Sequence, residues 1–241
     1  MLQLIPVIDL KGGRVVHARR GARDTYAPIR STLATGAQPV EIATALLRLH
    51  PFQTLYLADL DAIQRRGDNL GAIEAIHAAF PAVELWVDAG IANLTAYSAW
   101  RAHGLGRAVI GTECMPETAL IDVLLSGDHG WNPILSLDFG ATGPLGPAEL
   151  FERPDPWPKD VIAMTLARVG SDVGPDAKTL AAIIALAGDR RVHAAGGIRG
   201  LDDLALVHGL GAAGALIASS LHDGRLRAAD LRRIAGNAQR R

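Results

Sequence analysis

Apolar residues in this chain fall into short continuous runs, separated by segments in which they recur every three or four positions. The runs are Leu4–Asp9, Thr54–Leu60, Glu84–Asp88, Ala108–Gly111, Ile134–Asp138, Val161–Leu166, Val192–Ala195 and Ala215–Ala218. Most lack the alternation of a half-buried strand, as expected of parallel strands covered on both faces. Between them Val40–Leu49, Leu70–Phe80, Leu94–His103 and Ala177–Ala187 read as helices, and Pro39 stands where a first helical turn tolerates a missing N–H. Eight strands with intervening helices in 241 residues predict an α/β fold, the (β/α)8 TIM barrel. An open doubly wound sheet is the competing architecture. It has fewer strands and a phosphate loop after its first strand, where this chain has none.

A repeat sharpens that choice. Ala89-Gly90-Ile91, His103-Gly104-Leu105-Gly106 and Val109-Ile110-Gly111 are followed in the same order by Gly196-Gly197-Ile198, His208-Gly209-Leu210-Gly211 and Leu216-Ile217-Ala218. Gly90 to Gly197 and Gly111 to Ala218 share one offset of 107 residues. Ile8-Asp9 likewise parallels Leu137-Asp138. Two similar half-barrels, about 1–125 and 126–241, are therefore expected to close one domain.

Composition removes several function classes. With 24 basic and 25 acidic residues the formal charge is -1, so a generally basic nucleic-acid-binding surface is excluded. Low aromatic content (5%) with 26 glycines suits short strands against small-residue helices better than an all-β domain. The single cysteine, Cys114, rules out an internal disulfide or a multi-cysteine metal cage, and reads as a small buried hydrophobe. Leu204 to Leu221 is uncharged over 18 residues, yet His208, three glycines and two serines divide it into helix end, turn and strand. The opening run carries no signal-peptide pattern, so the expectation is a soluble cytoplasmic protein with no membrane or nucleic-acid partner and with its oligomeric state open.

Barrel chemistry gathers at the C-terminal ends of the strands. Asp9 and Asp138 end equivalent strands and are placed to act as opposed general base and acid, if their environments separate their pKa values. The alternative for either one is simply to pair with an arginine or cap a helix. Gly196 and Gly197, with Ala218 and Ser219 after the last strand, offer backbone N–H groups to a phosphate; Gly90 with Gly111 and Thr112 is the counterpart in the first half. Tight turns are the alternative use of those glycines. Thr165 ends the sixth strand, where its hydroxyl either contacts substrate or orients Asp138; a β-branched strand residue is the equal alternative. Lys11 is placed to keep Asp9 ionised, Asp59 and Asp61 stand near the mouth, and His17 follows the first strand closely. The histidines show no metal-ligand spacing, so neither a metal nor a cofactor is expected.

The segment Ile5-Pro6-Val7-Ile8-Asp9-Leu10-Lys11-Gly12-Gly13-Arg14-Val15-Val16 resembles the opening of the histidine-biosynthesis barrels. These are the phosphoribosylformimino-aminoimidazole carboxamide ribotide isomerase and the imidazole glycerol phosphate synthase cyclase, and Val-Ile-Asp-Leu-Lys is closer to the isomerase. Ala58-Asp59-Leu60-Asp61-Ala62 with Asn69, Gly196-Gly197-Ile198 and the last strand extend the resemblance over the whole chain. It implies a duplicated (β/α)8 barrel with Asp9 as general base, Asp138 as general acid and Thr165 as supporting hydroxyl. The implied reaction is an Amadori rearrangement of an aminoaldose phosphate.

Four departures stand beside it. Asp88-Ala89-Gly90-Ile91-Ala92 replaces the family's three glycines and arginine, and Arg168-Val169-Gly170-Ser171 lacks an Asp before the Gly. Ala218 replaces a phosphate-loop glycine. Pro144, Pro147, Pro154, Pro156 and Pro158 crowd the short span from Asp138 to Val161, so the fifth helix is expected to be short or absent and the family's Trp-bearing loop is not recognisable. With the long 21–38 segment, these features resemble a divergent branch found in methanogens and methylotrophs. Three functions stay open: an isomerase of a phosphorylated aminosugar, a paralogous enzyme on another small phosphorylated metabolite in one-carbon cofactor synthesis, or a non-catalytic binding barrel.

Overall fold

A computed structural model of the chain describes residues 2–125 and 131–236. The strands are β1 (Gln3–Lys11), β2 (Arg14–Val16), β3 (Thr54–Asp59), β4 (Glu84–Asp88), β5 (Arg107–Gly111), β6 (Ile134–Gly140), β7 (Gly143–Leu145), β8 (Asp160–Thr165), β9 (Arg191–Ala195) and β10 (Gly214–Ile217). Parallel pairing runs β1-β3-β4-β5-β6-β8-β9-β10 and returns from β10 to β1, where Gln3 stands beside Gly214 and Pro6 beside Ile217. The result is a closed eight-stranded parallel barrel with helices outside it.

The helices are α1 (Pro39–Leu49), α2 (Leu60–Ile63), α3 (Leu70–Ala79), α4 (Leu94–His103), α5 (Ala119–Leu125), α6 (Glu149–Glu152), α7 (Ala177–Ala187), α8 (Leu201–Gly209), α9 (Ser219–His222) and α10 (Ala228–Gly236). Their ends follow local chemistry. Asn93 accepts from the Ala96 N–H to start α4, and Gly104, left-handed at φ 66°, stops it. Asp176 caps α7 through the Thr179 N–H. The helix of the fifth connection is the one-turn α6, flanked by Pro147 and Pro154; Trp157 fills the space, donating its indole N–H to the Leu150 carbonyl at 2.7 Å. The segment Leu204 to Leu221 divides into the end of α8, a turn, β10 and the start of α9, and among the described residues no helix is long and apolar enough to cross a membrane. The expected seam between half-barrels falls at the edge of 126–130, which lies outside the described residues. So does 237–241, beyond the last residue of α10.

Strand alternation sorts the barrel into two cores. Ile8, Leu55, Leu57, Val87, Ile110, Leu135, Leu137 and Val161 face the helices, whereas Ile5, Tyr56, Trp86, Val109, Ile134, Ile162 and Leu216 face inward. Two short hairpins were not anticipated. β2 pairs antiparallel with β1, setting Asp9 opposite Val16, and β7 pairs with β6 in the same way, setting Asp138 opposite Leu145. Strands of three residues are too short to leave a clear periodic signal.

The N-terminal end of the barrel is plugged by polar groups. Asp160, inaccessible to solvent, accepts from Arg107 at 2.8 Å, Arg191 at 2.6 Å and His193 Nε2 at 3.1 Å. Arg107 also lies over the Trp86 ring, and a Cβ on Gly214 would come within 2.4 Å of His193 Nδ1, so glycine makes room for the imidazole. Burial by itself would raise the Asp160 pKa, but the hydrogen bonds from His193, Arg191 and Arg107 outweigh it and hold the carboxyl well below its usual range. A depressed folded-state pKa stabilises above the unfolded value and is lost as pH falls. Asp160→Ala should therefore cost about 3 kcal/mol or more at pH 6, seen as a lower urea midpoint. At pH 3 the gap between wild type and variant should narrow.

Candidate active site

At the other end the interior opens into a cavity of about 700 Å³, reached by residues from every barrel strand or the loop that follows it. Its floor carries three carboxyl groups, Asp9 from β1, Asp88 from β4 and Asp138 from β6. In an eight-stranded ring β1 stands opposite β6, so Asp9 and Asp138 approach the cavity from facing walls.

Asp138 is firmly held. Ser136 Oγ donates to its Oδ1 at 2.7 Å and the Glu113 N–H to its Oδ2 at 3.0 Å. The Thr112 hydroxyl accepts from the Asp138 N–H at 2.9 Å. Burial nevertheless dominates and pushes this carboxyl up to about 8. Asp9 differs, since among the described residues its carboxylate accepts no hydrogen bond. Burial pushes it up to about 7, against the opposing influence of Arg23. Asp88 is raised by burial to about 6; its Oδ1 accepts the Gly90 N–H at 3.0 Å, and the Tyr56 hydroxyl lies 3.4 Å from Oδ2. Burial and the three aspartates together raise the Tyr56 pKa well above the ordinary value, so its hydroxyl keeps its proton.

The segment after β2 crosses the mouth. The Arg20 N–H bonds the Val169 carbonyl at 2.8 Å, Arg66 reaches Asp24 at 2.8 Å, and Arg23 pairs with Glu113. A Cβ on Gly170 would strike the Ala18 carbonyl at 2.0 Å, which requires glycine where the two loops touch. This strap places Arg23 and Tyr26 beside the carboxyl groups.

On the second-half rim, Gly196 and Gly197 turn at φ 103° and 81°, conformations that favour glycine. Among the described residues the Gly197 N–H donates to no protein acceptor, nor do the Ser219 and Ser220 N–H groups at the start of α9. Gly196, Gly197, Ala218, Ser219, Ser171 and Arg225 share this side of the cavity, and His17 Nε2 lies 3.3 Å from Ser219 Oγ.

The structure thus gathers Asp9, Asp138, Gly196, Gly197, Ala218 and Ser219 around one space. It gives the other predicted residues different places. Lys11 donates to the Arg23 carbonyl at 2.7 Å and so ties down the strap; the cation acting on Asp9 is Arg23. Gly90 lies against the Ile63 backbone, where a Cβ would come within 2.8 Å, and Gly111 leaves room for the Asp138 and Asp88 carboxyl groups. Thr112 is fully buried behind Asp138. None of these three lines the cavity, so among the described residues the first half presents no counterpart of the Gly196–Ser219 rim. On β8, Ile162 and Met164 point inward and Thr165 falls on the helix-facing parity; Met164 is the lining residue. Asp59 accepts from the N–H groups of Ala62 and Asn69, and Asp61 from that of Gly12, so both brace loops. Burial pushes the half-buried Cys114 thiol up to about 12, which leaves it unreactive.

Sequence reasoning missed Tyr56, Asp88, Arg23 and Glu113 as cavity residues. Strand parity would have found Tyr56 and Asp88, since both share the inward phase of their strands. Arg23 and Glu113 depend on where loops land, which no period encodes.

Comparison with known proteins gives a consistent set of likenesses. The family model described as "Histidine biosynthesis protein" matches residues 3–150 and 155–227. An uncharacterized protein of Methanocaldococcus jannaschii is 31% identical over 230 residues, which cover 92% of this chain and 94% of the relative. Phosphoribosyl isomerase A of Streptomyces coelicolor is 28% identical over 237 residues, 92% of this chain and 93% of the relative. A Thermus thermophilus isomerase, named for an imidazole-4-carboxamide bearing two 5-phosphoribosyl groups, is 27% identical over 237 residues, 94% of this chain and 97% of its own.

The raised carboxyls carry a stability cost with a definite sign. A carboxyl whose folded pKa is raised stabilises fully below its unfolded value, near 3.8, and loses that contribution as pH climbs through about 7 for Asp9. Asp9→Asn should therefore melt higher than wild type at pH 8 and nearly the same at pH 4. A gain of about 1 kcal/mol would appear as roughly 2–4 °C in a thermal melt.

Proposed function

This chain belongs to the histidine biosynthesis protein family, and on that premise we propose that it isomerises a phosphorylated aminoaldose to the aminoketose. The observation that supports this best is the facing pair, Asp9 on β1 and Asp138 on β6, in one water-accessible cavity beside a glycine turn. Asp138, with the higher pKa, protonates the ring oxygen of the bound N-glycoside. The ring C–O bond breaks as the nitrogen lone pair forms a C=N bond, which leaves an open-chain iminium. Asp9, the more acidic of the two, removes the proton from C2, and the electron pair moves to give an enolamine. Protonation at C1 and loss of the C2 hydroxyl proton complete the ketose, so no atoms are gained or lost and no redox partner is required.

The surroundings fit these roles. Ser136, Thr112 and the Glu113 N–H fix the acid in one orientation, while Asp9 keeps its acceptor capacity for substrate. The Gly197, Ser219 and Ser220 N–H groups offer donors to a phosphate. Thr165 enters as a positioning residue: its carbonyl lies 2.5 Å from where a Gly196 Cβ would stand, so the end of β8 sets the path of the glycine turn. A second reading, a related enzyme on a different phosphorylated metabolite, is favoured by Asp88, whose carboxyl group occupies the cavity opposite the glycines.

Turnover by purified protein tests the proposal, using two N-glycosides: the imidazole-carboxamide compound named for the Thermus relative, and the glycoside of aniline with ribose 5-phosphate. Conversion in heavy water should place deuterium at C1 of the product. Asp9→Asn and Asp138→Asn should each reduce kcat by about 10²–10⁴. The pH profile of kcat/KM should rise through about 7 as Asp9 ionises and fall through about 8 as Asp138 loses its proton. Absence of turnover with both compounds would remove the proposal.

A further inference from the structure

The cavity is built on a repeat, yet its two ends have opposite hydrogen-bonding character. Under the 107-residue offset Gly90 corresponds to Gly197, Glu113 to Ser220 and Asp88 to Ala195. In the second half the Gly197 and Ser220 N–H groups have no protein acceptor among the described residues. In the first half both equivalent donors are already used by the protein's own carboxyl groups. The Gly90 N–H bonds Asp88 Oδ1 at 3.0 Å, and the Glu113 N–H bonds Asp138 Oδ2 at 3.0 Å. Since β4 faces β9 and β5 faces β10 across the ring, these two ends lie on opposite sides of one cavity.

Charge follows the same division. At the glycine end Arg19, Arg20 and Arg225 line the cavity, with Arg225 paired to Asp172 at 3.0 Å and to Asp223 at 2.6 Å. At the far end Asp88 and Glu113 line it with Arg23 as the one cation among the described lining residues there, and Arg23 is engaged with Glu113. A second phosphate placed there would meet two carboxyl groups, with the Gly90 and Glu113 N–H groups already engaged. An amine or a hydroxyl would instead find acceptors, Asp88 Oδ2 among them, whose nearest donor is the Tyr56 hydroxyl at 3.4 Å.

We infer that the substrate carries a single phosphate, bound at the Gly196–Gly197 end, and presents an amino group or hydroxyl groups, not a second phosphate, to Asp88 and Glu113. This rests on the isomerase reading and narrows its substrate class. It separates the chain from relatives named for compounds with two phosphoribosyl groups.

A matched series tests it. Fructose 6-phosphate, 1-amino-1-deoxyfructose 6-phosphate and fructose 1,6-bisphosphate differ only at C1, which carries a hydroxyl, an ammonium or a phosphate. Dissociation constants from calorimetry should rank the amine and the hydroxyl compound ahead of the bisphosphate, which should bind roughly tenfold more weakly than fructose 6-phosphate. Asp88→Asn should bring the bisphosphate to within about threefold of fructose 6-phosphate. Glu113→Gln, which leaves Asp88 in place and releases Arg23, should move it in the same direction and serves if Asp88→Asn does not fold. Tighter binding of the bisphosphate by the wild-type protein would overturn this inference, because Arg23 would then be serving a second phosphate; the isomerase reading would stand. If neither the three sugars nor inorganic phosphate bind, the anion site itself fails and this inference falls with it. Turnover of the two N-glycosides decides the isomerase reading separately.

Discussion

Closure of eight parallel strands is the constraint on which the rest of this structure depends. Once Gln3 pairs beside Gly214, alternate residues of every strand must point into a space too narrow for solvent at one end. The chain fills that end with Ile5, Trp86, Ile162 and the Asp160–Arg107–His193 cluster. Toward the C-terminal ends the inward positions become Asp9, Asp88 and Asp138, and the interior opens. The same alternation that packs a hydrophobic core therefore delivers three carboxyl groups into one cavity.

The two ends treat buried acids in opposite ways. Asp160 is surrounded by donors and kept ionised, so it contributes to the fold. The mouth aspartates have too few donors to offset burial, and their pKa values rise into the neutral range. That is costly for stability and useful for proton transfer, since a group poised near neutral pH can both give and take a proton. The long strap intensifies the effect by covering the mouth, with Lys11 securing it through the Arg23 carbonyl. The hairpins β1–β2 and β6–β7 add to it by stiffening the two strands that carry Asp9 and Asp138.

The sequence repeat relates the two glycine turns, and the differences between them give the cavity its direction. The glycine turn after β9 keeps its N–H groups free, whereas its counterpart after β4 has turned inward to serve Asp88. The cavity thereby has one end with backbone N–H groups free of protein acceptors and another lined by carboxyl acceptors. Membership of the histidine biosynthesis family fits the barrel architecture.

The sequence by itself determined the barrel, because strand and helix periods are local consequences of burial and are written directly in the order of apolar residues. Strands as short as Glu84–Asp88 and helices such as Leu94–His103 are legible in that pattern, as are the repeat and the facing aspartates. The truncated fifth connection is legible in its prolines. Tertiary structure decided which legible residues meet. Thr165 and Met164 are neighbours in sequence, yet only the parity fixed by barrel register sends Met164 into the cavity. Gly90 and Gly197 match in the repeat, yet one N–H is occupied by a carboxyl group and the other is free. Lys11 lies two residues from Asp9, while Arg23, fourteen residues away, is the cation that acts on it. Adjacency along the chain governs local conformation; hydrogen bonding and electrostatics depend on distance in space, which is set only when the barrel closes and the strap is laid across its mouth.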